Sequence, residues 1–178
     1  MFEESLVRNC SPTLAGLKTG NLFRYIYGNK DMDEIERCAD ELRKKDISIT
    51  IMRGDGEFYL VYIYRKKLLH DDLRKEGVGD FLSGIGYDPT DTDAAIERLR
   101  ERMDDEEFPH EVGLFLGYPL HDVLGFINNN GRDCRFCGCW KVYDNEHQVK
   151  EQFLKFKECR RTLVEQHNAG VGLLQLAM

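Results

Sequence analysis

Ile47 to Arg65 reads "ISITIMRGDGEFYLVYIYR", and this stretch decides the class of fold. "ISITIMR" alternates apolar and polar residues, "GDG" supplies a turn, and "EFYLVYIYR" is rich in β-branched and aromatic side chains, which together predict a β-hairpin. In the second strand Phe58, Leu60, Tyr62 and Tyr64 fall on one face, and Tyr59, Val61 and Ile63 on the other. Apolar character on both faces predicts a central position in a sheet.

Helical spacing flanks the hairpin. Upstream, Ile35, Cys38, Ala39 and Leu42 recur at i, i+3, i+4 and i+7 and make one apolar stripe. Downstream, residues 66–82 mix helix and loop. "DPTDTDAAIERLRERM" (88–103) then reads as a helix capped by Asp or Thr, with Ile96, Leu99 and Met103 inward. "EVGLFLG" (111–117) reads as a buried strand entering the turn "GYP". Pro119 suits the first turn of a helix carrying Leu120, Val123, Leu124 and Ile127 on one side, with "NNNG" (128–131) as its stop. Trp140 to Tyr143 is a short strand. Asn145 to about Asn168 is the longest helix, with Val149, Phe153, Phe156, Cys159 and Leu163 on its apolar side. No repeat or linker interrupts the pattern. The expectation is a single α+β domain over 1–178, with a mixed or antiparallel sheet of about four to five strands packed by several helices.

Composition bounds the function. Across 178 residues, 42% are apolar and 32% charged, as in a folded globular chain. The 25 Lys and Arg against 32 Asp and Glu give a formal charge of −7, the wrong sign for a protein that neutralises phosphates, so no nucleic-acid partner is expected. Arg65-Lys66-Lys67 and Arg160-Arg161 are short basic runs that read as solvated faces. "MFEESLVRNC" is not a secretory signal and no stretch has membrane-spanning length, which predicts a cytoplasmic protein without a membrane partner. In that reducing compartment the six cysteines read as free thiols or metal ligands.

Three readings of the cysteines follow. Cys134-Arg-Phe-Cys137-Gly138 has the form of a zinc or iron knuckle, with Cys139 as a third ligand and His147, Cys10 or a partner subunit as a fourth. Alternatively, "NCSPTLAGLK" (9–18) makes Ser11 an N-cap and Pro12 the first helical residue, placing Cys10 just ahead of a helix whose dipole favours a thiolate. His110 and Asp122 would then complete a catalytic triad. Free cysteine is also a small hydrophobe, and Cys38 reads most simply as core. His121 beside Asp122 could share in a site but reads more simply as a surface pair, and His70 and His167 lie in polar helical contexts with no visible partner. Phosphate-binding glycine motifs are absent, since Gly77-Val-Gly79 lacks its third glycine.

"CSPTLAGLKTGNLF", "EFPHEVGLFLGYPLHDVLGFI" and "GCWKVY" together resemble a bacterial family, domain of unknown function 3793, found mainly in anaerobic Gram-positive organisms. The resemblance spans nearly the whole chain and implies a shared fold and site without naming a reaction. Its segments carry Cys10, Pro12, Lys18, His110, Glu111, Gly117, Tyr118, Pro119, Asp122, Gly138, Trp140, Lys141 and Tyr143. Trp140, Lys141 and Tyr143 become the candidate ligand- or cofactor-binding residues. The leading expectation is thiol-dependent chemistry on a small molecule or peptide at a site of Cys10, His110 and the strand from Cys137 to Tyr143. The alternatives are a zinc- or iron-binding protein and a non-catalytic module that binds a partner protein or ligand through aromatic surface.

Overall fold

A computed structural model describes residues 1–26 and 31–178 of the chain. Contacts divide the chain into two compact units, one of residues 1–69 and 158–178 and one of residues 70–157.

The first unit is built on the hairpin. β2 (Ile47–Gly54) and β3 (Phe58–Arg65) pair antiparallel, and β1 (Gly20–Ile26) pairs with the other edge of β3, giving the order β1-β3-β2. The turn is closed by Asp55, whose Oδ1 accepts from the backbone N–H groups of Glu57 and Phe58, while Gly56 takes a φ of +91°. β3 is central as its pattern requires, and Val61, Tyr62, Ile63 and Tyr64 are all buried. On one face Phe23 and Tyr25 lie beside Val61 and Tyr59, and Ile49 lies beside Ile63. That face joins a core with α1 (Phe2–Leu14), α2 (Asp31–Arg43), Leu163 and α9 (Leu173–Leu176). The stripe Ile35, Cys38 and Leu42 of α2 is buried in it.

α1 departs from expectation. Instead of starting at Ser11, the helix runs from Phe2 and ends two residues after Pro12. Phe2, Leu6, Cys10 and Leu14, spaced by four, are each fully buried, and this stripe outweighs a proline that removes a single bond near the helix end. The Ser11 hydroxyl turns back to donate to the carbonyl of Val7 (2.5 Å) and caps nothing.

The second unit contains α4 (Val78–Gly84), α5 (Thr92–Arg102), α6 (Val112–Phe115), α7 (Leu120–Asn128) and the two-stranded pair β4 (Phe136–Cys137) and β5 (Lys141–Val142). α3 (Lys66–Leu73) and α8 (Glu146–Asn168) belong to both units, the chain passing from one to the other within each. Asp91 caps α5 by accepting from Ala94 N–H, and Ile96, Leu99 and Met103 are buried as the spacing requires.

"EVGLFLG" is a short helix and not a strand. Its apolar run lacks a period and fits either structure. Burial of Glu111 decides the matter: its Oε1 accepts from the Tyr87 hydroxyl (2.8 Å) and from Arg102 Nε, which fixes the start of α6.

The α+β class, the 47–65 hairpin and the long C-terminal helix are present. The five strands among the described residues are divided between a three-stranded and a two-stranded antiparallel sheet. No helix among them is long and apolar enough to cross a membrane.

Candidate functional site

Asp122, in the first turn of α7, is 2% exposed and organises the second unit around itself. Its Oδ2 accepts from the Trp140 indole Nε1 (2.8 Å), and its Oδ1 accepts from the backbone N–H groups of Tyr143 (2.7 Å) and Asp144 (3.3 Å). A carboxylate has the acceptor capacity for all three donors. The result ties α7 to β5 and fixes the indole plane.

Glycines allow the layers to close. A Cβ at Gly125 would lie 2.4 Å from the Tyr143 ring, and one at Gly138 would lie 2.3 Å from the Phe153 ring. Trp140 is thereby held between aromatic neighbours. Tyr118 stacks on it at 4.5 Å between centroids, and Phe153 meets it edge-on at 4.5 Å and 88°. Burial pushes the Tyr118 hydroxyl up to about 12, with Cys139 adding in the same direction, so the phenol stays neutral.

In front of this platform lies a cavity of about 260 Å³. Tyr118, Trp140 and Phe126 line it, with Phe108 and His110 on the same wall and Cys137, Gly138, Cys139 and Lys141 from the β4–β5 hairpin. The His110 ring is 4.8 Å from Phe126. Cys137 is register-paired with Lys141 across the hairpin, so their side chains share a face. The Lys141 Nζ donates to the carbonyl of Gly131 (2.5 Å) and lies 5.7 Å from the Phe126 ring. Neither Lys141 nor His110 pairs with a carboxylate among the described residues.

The sequence candidates separate. His110, Asp122, Cys137, Cys139, Trp140 and Lys141 come together around the cavity. Tyr143 supports it from behind, its ring against Gly125 and its hydroxyl donating to Arg132 O (2.9 Å). Cys10 does not line it: it lies in the first unit, in the last turn and a half of α1, fully buried. It lies inside α1 and not ahead of a helix start, and burial pushes its thiol up from the ordinary value of 9.0, opposite to the activation the expected helix start would give.

Asp122 is also spent as a positioning group for Trp140 and β5, rather than orienting His110. Among the described residues no group of three or more His, Cys, Asp or Glu converges to hold a metal. Cys134, Cys137 and Cys139 are therefore not gathered as ligands, and His147 is instead exposed on α8, 3.8 Å from Glu151. A short hairpin with Cys137 paired to Lys141 and Cys139 in the turn spreads the thiols along the chain.

Tyr118, one of the residues of the family-like segments, is part of the cavity, whereas Phe126, Phe108 and Phe153 carry no site signal in the sequence; Phe126 lies beside the α7 stripe and faces the cavity.

No curated protein and no solved structure matches the chain. A family model described as "Protein of unknown function (DUF3793)" matches residues 6–177, nearly the whole length. On that match, the chain belongs to the DUF3793 family.

Proposed function

We propose that the second unit is a small-molecule-binding module whose ligand is flat, mainly apolar, and carries a carbonyl or carboxylate oxygen. The single observation behind this reading is the cavity of about 260 Å³ lined by the stacked Tyr118–Trp140 pair, which Asp122 holds in place. A rigid aromatic floor binds a flat ring with little ordering cost. The volume lies just below the usual range for drug-sized ligands, which suits a molecule of one or two rings. Lys141 and His110 supply the polar end, as donors without a carboxylate partner.

The test uses 1-naphthoate as probe and cyclohexanecarboxylate as its non-planar counterpart, measured by saturation-transfer NMR. At roughly 0.3 kcal/mol per non-hydrogen atom, a probe of about 13 such atoms should bind with a Kd on the order of 1 mM. Naphthoate is expected to give saturable transfer and cyclohexanecarboxylate at least several-fold less. Phe126→Ala should weaken naphthoate roughly tenfold, the loss of one aromatic wall contact. Equal transfer to both probes, or no effect of Phe126→Ala, would contradict the reading.

A further inference from the structure

Cys137 and Cys139 are exposed cysteines outside any disulfide, and both line the cavity. Cys137 is the better placed, because its register partner is Lys141 and the two side chains share one face of the hairpin. A thiol, a lysine on the same face of the hairpin and an aromatic wall form a distinct chemical arrangement. A flat molecule in the cavity, against the stacked Tyr118–Trp140 pair, has Cys137, Lys141 and His110 in the same lining.

We infer that the cavity carries a thiol-addition activity in which Cys137 adds to a planar α,β-unsaturated carbonyl compound, a quinone being the type case. This rests on the ligand reading given above.

The step balances without another reactant. The Cys137 sulfur forms a C–S bond to the β-carbon, and the electron pair of the C=C bond moves through the conjugated system onto the carbonyl oxygen. Lys141 is the ammonium available to stabilise that oxygen as charge develops. The thiol proton ends on the oxygen, with His110, on the same cavity, available as carrier. In a quinone, the proton on the attacked ring carbon then moves to the second oxygen. The ring becomes a hydroquinone thioether, the two electrons it gains being those of the new C–S bond's formation, so neither an external reductant nor an oxidant is consumed.

The arrangement fits this better than a disulfide, which would need an oxidant, and better than a metal, for which the thiols do not converge. Cys159, half-buried on α8 with its thiol donating to the Ser11 carbonyl at 3.5 Å, is a built-in comparison thiol that does not line the cavity.

The experiment is site-resolved labelling by mass spectrometry on the full reduced chain, with 1,4-naphthoquinone as the flat electrophile and N-ethylmaleimide as a small non-aromatic one. The naphthoquinone-to-maleimide rate ratio at Cys137 is expected to exceed that at Cys159 by at least tenfold. The Cys137 rate should saturate with naphthoquinone concentration and fall when 1-naphthoate is added. Lys141→Met should lower the Cys137 ratio several-fold with the amide spectrum otherwise preserved, and Cys134→Ser, outside the cavity lining, should leave the ratio unchanged.

Equal ratios at all reactive thiols, or a Cys137 rate linear in concentration, would overturn the inference. If 1-naphthoate binds while those ratios are equal, the addition chemistry alone fails. If 1-naphthoate neither binds nor protects, the ligand reading fails with it.

Discussion

Asp122 shows how one buried side chain can set the geometry of a whole cavity. Three N–H donors end on its two oxygens, and one of them fixes the only tryptophan of the chain. Asp122→Asn keeps the volume but turns one acceptor into a donor, so either Trp140 Nε1 or the paired backbone N–H groups of Tyr143 and Asp144 lose their partner. An unsatisfied buried group costs about 1–3 kcal/mol. Urea denaturation of this variant should therefore show a loss of that order, and an unchanged midpoint would mean that Asp122 is not a structural anchor. The same residue marks a limit of reading from sequence. Asp122 beside His110 and a cysteine invites a triad, whereas its actual partners, Trp140 and two backbone groups, are 18 to 22 positions away and carry no pattern that a sequence displays.

At the scale of elements, strong periods were legible and weak ones were not. The hairpin, α2, α5 and α8 each repeat their apolar residues at the spacing of their own secondary structure, and burial follows. In α1 the stripe of Phe2, Leu6 and Cys10 outweighs the start signal of Ser11 and Pro12, and in "EVGLFLG" an unbroken apolar run does not specify a period. The stripe takes Cys10 into a core and not to a helix start. That burial has a pH consequence. Cys10 and Cys38 are both fully buried, Cys38 being pushed up to about 12, mainly by burial, against an ordinary value of 9.0. Above pH 9 the unfolded chain releases these protons and the folded chain retains them, so the unfolded state binds fewer and stability falls as pH rises. Each thiol contributes a slope of up to about 1.4 kcal/mol per pH unit in that window, and nothing below it. Denaturation curves under reducing conditions from pH 8 to 10.5 should show the decline, and Cys38→Ala should flatten it. A pH-independent stability across that range would contradict the burial of both thiols.

For the whole molecule, the sequence conveyed the α+β class and the sign of the charge, and it conveyed most of the cavity residues without the relation among them. "GCWKVY" and "PHEVGLFLGYPLHDVLGF" are the two segments whose residues meet around the cavity, and both lie within residues 70–157. Their polar and glycyl letters are accounted for by what they do: Asp122 holds Trp140, Gly138 and Gly125 admit Phe153 and Tyr143, and Lys141 faces the cavity. The first unit uses its cysteines as core, and the second exposes Cys137 and Cys139. This division leaves the cavity as the place where ligand chemistry is to be sought.

The most direct measurement is a proton–nitrogen correlation spectrum of the full chain titrated with 1-naphthoate, read at the one tryptophan indole resonance. Because Trp140 is the sole tryptophan, its Nε1–H signal needs no assignment and reports on the cavity floor. A saturable shift of that signal, together with shifts of the Gly138 and Lys141 amides, is the predicted result. An indole signal that stays fixed while resonances of the first unit move, or while none move, would contradict the account.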